Sequence, residues 1–258
     1  METLPLCFRI LDETVAVETE RLAVDVRLDE ILPALRSLDD AAVSIAARKN
    51  GRPVTCAEGC SACCRIQLVP VTPAEAYALL RLVETLPESE KTRVRGRFAS
   101  SMARLESSGM ADFFREADAV SDSPAMRTNL AGYLELGIEC PFLEGGRCGI
   151  YAVRPFACRE YLVTSPKELC RRPLSEPVET VPLILPVARA AMETAAGVSG
   201  CAQRMIPLIF ALEFAEKHRQ ELEMLHPSGV LLAQSLKRAF LAAHEQGSLG
   251  RQPDALKL

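Results

Sequence analysis

The sequence predicts a mainly α fold with a small β component, in which helices surround an irregular cysteine-rich core. Two observations predict it. Apolar residues recur at helical spacing over most of the 258 residues, and eight of the ten cysteines fall in two short blocks without such spacing. A chain of this length can bury an ordinary core without covalent help. The clustered cysteines therefore need another explanation.

The N-terminal part is predicted to form a short hairpin followed by a long helix. Residues 5–10 and 14–18 have the character of two strands. Cys7 lies inside the first strand, where we expect a small buried apolar side chain rather than a ligand. Apolar residues at helical spacing then run from residue 28 to residue 49, and Pro33 suits the start of the helix proper.

Helices also dominate the prediction beyond the first cysteine block, after an extended stretch at 66–71. Thr72 can cap a helix that runs to about residue 85, because Pro73 suits its first position and Glu75 can bond back to the cap. Cys201 lies at the head of a late helix and is expected to be an ordinary half-buried thiol. Further helices are predicted over residues 87–107, 109–120, 124–137, 187–196, 204–224 and 229–245.

Composition and charge exclude several classes of protein. The formal net charge of −4 and the isoelectric point near 5.6 argue against a broad nucleic-acid-binding surface. The basic residues between 91 and 97 are expected to form the solvated face of a helix. The N-terminus has no signal-peptide pattern, and no apolar run reaches the roughly 18–20 residues of a membrane span. We therefore expect a cytoplasmic protein in a bacterial-type reducing cytosol.

The first cysteine block carries ligand-like spacing. Cys56, Cys60 and Cys63 are separated by three and two residues, so a turn can point their sulfur atoms at one centre. Gly59 permits the backbone to fold tightly there. Soft thiolates bind zinc and iron–sulfur clusters, so this block predicts a metal site. Cys64 directly follows Cys63, and neighbouring side chains seldom share one ion. Either the two serve different centres, or one is structural or reactive.

The second cysteine block is loop-rich. Cys140 and Cys148 flank a loop that is predicted to turn at Gly145-Gly146, and Cys158 and Cys170 follow. A four-thiolate site around a divalent metal, or around a four-iron cluster of charge +2, carries a net charge of about −2. Nearby cations would lessen that cost. The arginines close in sequence to these cysteines are Arg65, Arg147, Arg154, Arg159, Arg171 and Arg172.

The two blocks together resemble a known family, the YkgJ-type or CxxCxxCC cysteine-cluster proteins. That family is described as zinc- or iron-chelating, its members are often labelled iron–sulfur-cluster proteins, and it is similar to the flagellin lysine methylase. Its name suggests a spacing of two where Cys56 and Cys60 are separated by three. The matching motifs are Cys56-x3-Cys60-x2-Cys63-Cys64, Cys140-Pro141-Phe142-Leu143, Cys148-x-Ile150-Tyr151, Arg154-Pro155 and Cys158-Arg159-x-Tyr161. The resemblance implies eight metal ligands: Cys56, Cys60, Cys63, Cys64, Cys140, Cys148, Cys158 and Cys170.

Three hypotheses for function follow. The first is an iron–sulfur protein, with a four-iron, four-sulfur cluster and a redox or methylase-like protein-modifying role. The second is a zinc protein whose sites hold the loops together while its helices bind a partner, without catalysis. The third is a thiol-based redox sensor. The partner, whether a protein or a small molecule, and any catalytic residue are not specified by the sequence.

The domain organisation predicted from these features has three ranges, expected to form one compact unit. Residues 1–55 supply the hairpin and first helix, and residues 56–172 form a cysteine-cluster metal-binding domain with inserted helices. Residues 173–258 form a C-terminal helical region. The three histidines all lie in this last range and are expected to be surface or capping residues.

Overall fold

The computed structural model describes residues 4–19, 24–173, 176–199 and 204–245. Within these ranges the chain is mainly α-helical, and its strands form small two-stranded antiparallel sheets, which confirms the predicted fold class. No helix in the described ranges is long and apolar enough to cross a membrane. Cys201, for which the sequence predicts a half-buried thiol, lies outside the described residues.

The N-terminal hairpin forms as predicted. Strand β1 (Leu4–Ile10) pairs with strand β2 (Glu13–Thr19) in antiparallel register. Side chains alternate between the two faces of a strand, so Phe8 and Ile10 pack on the core while Cys7 is exposed. The expectation that Cys7 is buried is therefore wrong, because its position in the strand places it on the solvent face.

Helix α1 (Leu32–Lys49) also matches its prediction. A 3-10 turn over Leu28–Ile31 leads into it, its second residue is Pro33, and it ends at Asn50. Proline is tolerated in the first turn of a helix because the amide hydrogen it lacks would have no intrahelical acceptor there. One face of α1 is buried in the core along its whole length.

The remaining elements follow in chain order. The later helices are α2 (Pro73–Thr85), α3 (Glu88–Ser107), α4 (Ala111–Glu116), α5 (Pro124–Leu136), α6 (Phe156–Glu160), α7 (Val187–Ser199), α8 (Ala211–Lys217), α9 (Arg219–Leu222) and α10 (Ser228–Glu245). The short strands pair as β3 (Asp25–Val26) with β8 (His226–Pro227), β4 (Pro70–Val71) with β7 (Ile206–Pro207), and β5 (Leu143–Glu144) with β6 (Arg147–Cys148). The box of Thr72 and Glu75 caps α2 as predicted.

The predicted helix over 204–224 is wrong in its first part and interrupted in its second. Ile206–Pro207 form β7, a 3-10 turn follows at Leu208–Phe210, and the helical stretch breaks between α8 and α9 at His218. Proline cannot lie in a helix interior without losing a hydrogen bond and clashing with the preceding turn. Pairing with β4 instead gives this segment backbone partners.

The buried apolar residues form two large cores. The first combines the hairpin, α1, α7 and α10, and the second combines α2, α3, α4, α5 and α8. Leu38, Phe156 and Leu231 all belong to the first core although they come from the three different predicted ranges. The division of the chain into those ranges stays a prediction.

A buried acid interrupts the apolar face of α1. Asp39 is completely buried, and its carboxyl group lies beside that of Glu160. Burial raises the pKa of Asp39 well above its ordinary value, and the nearby carboxylates of Glu160 and Asp40 raise it further. Asp39 is therefore neutral in the folded protein at neutral pH.

We expect Asp39→Asn to raise the free energy of unfolding at neutral pH and to flatten its pH dependence. The unfolded chain releases the Asp39 proton near pH 4, whereas the folded chain keeps it. Above that pH the stability therefore falls by about 1.4 kcal/mol per unit until the folded carboxyl also ionises. Urea titrations across this range measure the slope. Asp122→Asn, at a carboxyl that is 90% exposed, is the control, and equal slopes in both variants would contradict the assignment.

Candidate metal centre

The first cysteine block folds as a tight turn. Gly59 adopts a left-handed conformation with φ of 84°, which residues with a side chain rarely adopt. The Cys60 amide donates to the Ala57 carbonyl at 2.9 Å. A 3-10 turn over Cys63–Arg65 then completes the block. The turn predicted from the cysteine spacing is thus confirmed.

The segment that follows α6, at residues 163–165, is hydrogen-bonded to the start of this block. Thr55 donates its amide hydrogen to the Val163 carbonyl at 2.8 Å and its hydroxyl hydrogen to the Ser165 carbonyl at 2.7 Å. The Val163 amide in turn donates to the Cys56 sulfur at 3.3 Å. These bonds bring together two segments that are about one hundred residues apart, and the second of them leads to Cys170.

Four cysteines pack around the small apolar cluster of Ala62 and Val163, and we call them the first thiol group. Tyr161 lies in the same cluster and accepts a hydrogen bond from the Gln67 amide at 3.2 Å. Cys170 is buried, and the other three are partly exposed. The members of the first thiol group are Cys56, Cys60, Cys63 and Cys170.

The second cysteine block forms a hairpin, with Gly145 and Gly146 in left-handed conformations at φ of 56° and 77°. The turn predicted at these glycines is confirmed. Helix α3 holds the hairpin, because Arg97 donates to the Pro141 carbonyl at 2.6 Å and Arg93 pairs with Glu144 at 2.9 Å. The helix predicted to carry these basic residues is present, but Arg93 and Arg97 contact the hairpin instead of forming only a solvated face.

The remaining ligand candidates lie around this hairpin, and we call them the second thiol group. The Cys140 amide donates to the Cys64 carbonyl at 2.7 Å, which joins the hairpin to the first block. The Cys158 thiol, carried by α6, interacts electrostatically with Cys140 and Cys148. The members of the second thiol group are Cys64, Cys140, Cys148 and Cys158.

The adjacent pair Cys63 and Cys64 lies where the two groups meet. Interaction with the neighbouring Cys64 thiol is the main cause that raises the pKa of Cys63. Cys63 also interacts electrostatically with the first group at Cys56 and Cys170, and with the second at Cys140, Cys148 and Cys158. The structure therefore brings all the predicted ligands into one region of the molecule.

Chemistry decides what this region can hold. All nine described cysteines are free thiols, and burial raises the pKa of Cys140 to about 12 and that of Cys170 to about 11. Within the described residues, no three Cys, His, Asp or Glu side chains are grouped closely enough to hold an ion as they stand. The donor set, which consists of soft sulfur atoms alone, fits zinc, iron or an iron–sulfur cluster rather than a hard cation.

One of the six arginines singled out by sequence serves both thiol groups. Arg154 stacks on the Tyr151 ring at 4.1 Å, and its buried Nε has no hydrogen-bond partner. Its charge acts on Cys56 in the first group and on Cys148 in the second. Of the others, Arg65, Arg159 and Arg172 pair with Glu139, Asp40 and Glu176, and Arg147 and Arg171 are exposed.

Sequence reasoning missed the polar side chains that hold α6. The Phe156 amide, at the start of this helix, donates to the Glu75 carboxylate at 2.7 Å. Arg159 pairs with Asp40 of α1 at 2.6 Å, and Glu160 accepts from the Ala188 amide of α7 at 3.1 Å. Short-range spacing identifies Glu75 as a cap of α2 only, and no local signal reveals its bond to a residue 81 positions away.

We expect Arg154→Gln to lower the metal affinity about tenfold. Arg154→Lys keeps the positive charge and should lower the affinity much less. Removing the charge leaves the thiolates of both groups less compensated, and changes around metal ligands typically cost 10- to 100-fold in affinity. Competition with a chelator measures the affinity. Arg171→Gln, at an exposed arginine, is the matched control, and an equal loss in that variant would contradict the role of Arg154.

Comparison with known proteins finds a family model that matches the cysteine region. The family model CxxCxxCC, described as "Putative zinc- or iron-chelating domain", matches residues 55–175. No curated protein and no solved structure matches the chain. The matched range contains every cysteine of the two thiol groups. Over residues 55–175, slightly less than half of the chain, the protein is thus similar to the CxxCxxCC family of domains, which that description gives as zinc- or iron-chelating.

Proposed function

We propose that this protein binds iron as an iron–sulfur cluster through the cysteines of the two thiol groups. The observation that carries the proposal is the meeting of eight free thiols, drawn from two distant blocks, around the Cys63 and Cys64 pair. Thiolate sulfur is the usual protein ligand of such clusters. Each group offers four sulfur atoms, which is the number of cysteine ligands that one four-iron, four-sulfur cluster takes.

The surroundings of the thiols suit a redox centre. A bound cluster would supply one-electron transfer. The chain itself would hold and tune it, because the first group packs against the apolar side chains of Ala62 and Val163 and Arg154 offsets thiolate charge in both groups. Apolar burial and nearby cations both shift the reduction potential of a thiolate-bound centre. In this proposal the centre serves a redox or protein-modifying, methylase-like reaction.

Zinc is the alternative, and one observation favours it. The backbone that carries the ligands consists largely of turns, bends and 3-10 segments rather than long helices. A structural zinc ion contributes folding free energy to such loops directly. In that case the cysteine region is a scaffold, and the helices around it bind a protein partner without catalysis.

The proposed setting is a bacterial cytosol. Free thiols persist in reducing compartments, where clustered cysteines serve as metal ligands more often than as disulfides. We propose no nucleic-acid partner, because three basic side chains of α3 already contact other parts of the protein. The pairs are Arg93 with Glu144, Arg95 with Glu216, and Arg97 with the Pro141 carbonyl. The proposed partner is a protein or a small molecule that reaches the partly exposed thiols.

We expect protein purified without oxygen to contain iron with matching sulfide and to show broad visible absorption. The measurement is iron, zinc and acid-labile sulfide per chain, together with the absorption spectrum. Stoichiometric zinc without sulfide would contradict the iron–sulfur proposal and support the structural zinc site instead. Metal-free protein whose free-thiol count changes reversibly with oxidant would overturn both and support a thiol-based sensor.

We expect the two thiol groups to form two centres. Cys170→Ser should then remove the metal of the first group and Cys148→Ser that of the second, so each variant keeps about half of the metal because one four-sulfur site stays complete. Cys7→Ser, at an exposed thiol of the hairpin, is the control and should keep all of it. Loss of all metal in both single variants would show one shared centre.

A further inference from the structure

The carboxylate of Glu75 joins the beginnings of two helices. Its side chain is completely buried. One oxygen, Oε2, accepts hydrogen bonds from the amide and the hydroxyl of Thr72 at 2.9 and 3.0 Å, where α2 begins. The other oxygen, Oε1, accepts from the Phe156 amide at 2.7 Å, where α6 begins. Both oxygen atoms are thus used, and every partner is a donor.

Helix α6 depends on such anchors because it is only five residues long. A helix of this length has no stability of its own in water. Its third residue is Cys158, a member of the second thiol group. The bond from Glu75 fixes where α6 begins, and Arg159 and Glu160 fix its other end against α1 and α7. The position of the Cys158 sulfur therefore follows from these three side chains.

We propose that Glu75 is a positioning residue for the candidate metal centre, which holds the Cys158 thiol against Cys140 and Cys148 by capping α6. This inference rests on the proposed function, because its expected effect is on the metal that the second thiol group retains. It assigns Glu75 a second role beyond the local cap of α2. Because α6 is reached only through Oε1, the two roles belong to different oxygen atoms and can be separated by substitution.

Only glutamate fits both roles at this position. Glutamine has one acceptor oxygen, so its amide group would face a donor at either Thr72 or Phe156. Aspartate keeps both acceptors but is one methylene shorter, so it can serve Thr72 and falls short of Phe156. The nearby guanidinium of Arg36 interacts with the Glu75 carboxylate and offsets its charge. A buried polar group left without its partner is costly, so neither substitution is silent.

The test compares Glu75→Asp and Glu75→Gln with Thr72→Ala in full-length, metal-loaded protein. Thr72→Ala removes the hydroxyl from the α2 cap and leaves the bond to Phe156 intact. Metal content, melting temperature and the rate of metal loss to a chelator are measured for each. Glu75→Asp keeps a charged cap for α2, so the test does not depend on the folding of the glutamine variant.

We expect a chelator to remove the metal of the second thiol group about 10- to 100-fold faster in both Glu75 variants, as for other residues that orient metal ligands. The other half of the metal should leave at the wild-type rate. Thr72→Ala should lower the melting temperature without changing either rate. Equal acceleration in Thr72→Ala, or unchanged rates in both Glu75 variants, would overturn the proposal.

A second measurement separates this inference from the proposed function. In metal-free protein, iodoacetamide labelling read by mass spectrometry reports how accessible each thiol is. The Glu75 variants should label Cys158 several-fold faster than wild type and Cys170 at an unchanged rate. If the wild-type protein holds no thiol-bound metal, the proposed function fails and the labelling result still decides the role of Glu75. If metal is present and labelling of Cys158 is unchanged, the positioning role alone fails.

Discussion

The buried polar anchoring of α6 is the constraint on which the rest of the structure depends. Glu75, Arg159 and Glu160 each take a polar group out of water and satisfy it on a different helix. A buried charge or amide without a partner costs more than most single contacts contribute. The helices α1, α2 and α7 are therefore held in one arrangement about α6. That arrangement connects the two apolar cores and fixes the position of α6, the helix that carries Cys158.

In the cysteine region, the cost of burying charged thiolates opposes the need for thiolates in metal binding. Burial favours neutral thiols, which is why the pKa values of Cys140 and Cys170 rise, whereas metal binding requires thiolates. Arg154 acts on both groups, and one positive charge does not balance two four-thiolate sites. A metal bound by these thiolates would supply the missing positive charge. Without such a metal, ionised thiols at these positions would repel one another.

Local signals in the sequence predicted local structure well. The capping box of Thr72 and Glu75 placed α2, and the paired glycines at 145 and 146 placed the hairpin turn. Where long-range pairing competes with local periodicity, prediction failed: Pro207 and its strand partner turned part of a predicted helix into β structure. Cys7 is exposed, although free cysteine is usually buried, because strand alternation places it on the solvent face.

The sequence by itself determined the helical character of the chain, its cysteine blocks and the ligand types, because these depend on residue spacing and side-chain chemistry. Tertiary structure alone decided which cysteines meet, since Cys170 joins the first block through Val163 and Cys158 approaches the hairpin through α6. It also selected Arg154 among six candidates and gave Glu75 its second partner. Such contacts join residues far apart in the chain, and local spacing carries no record of them.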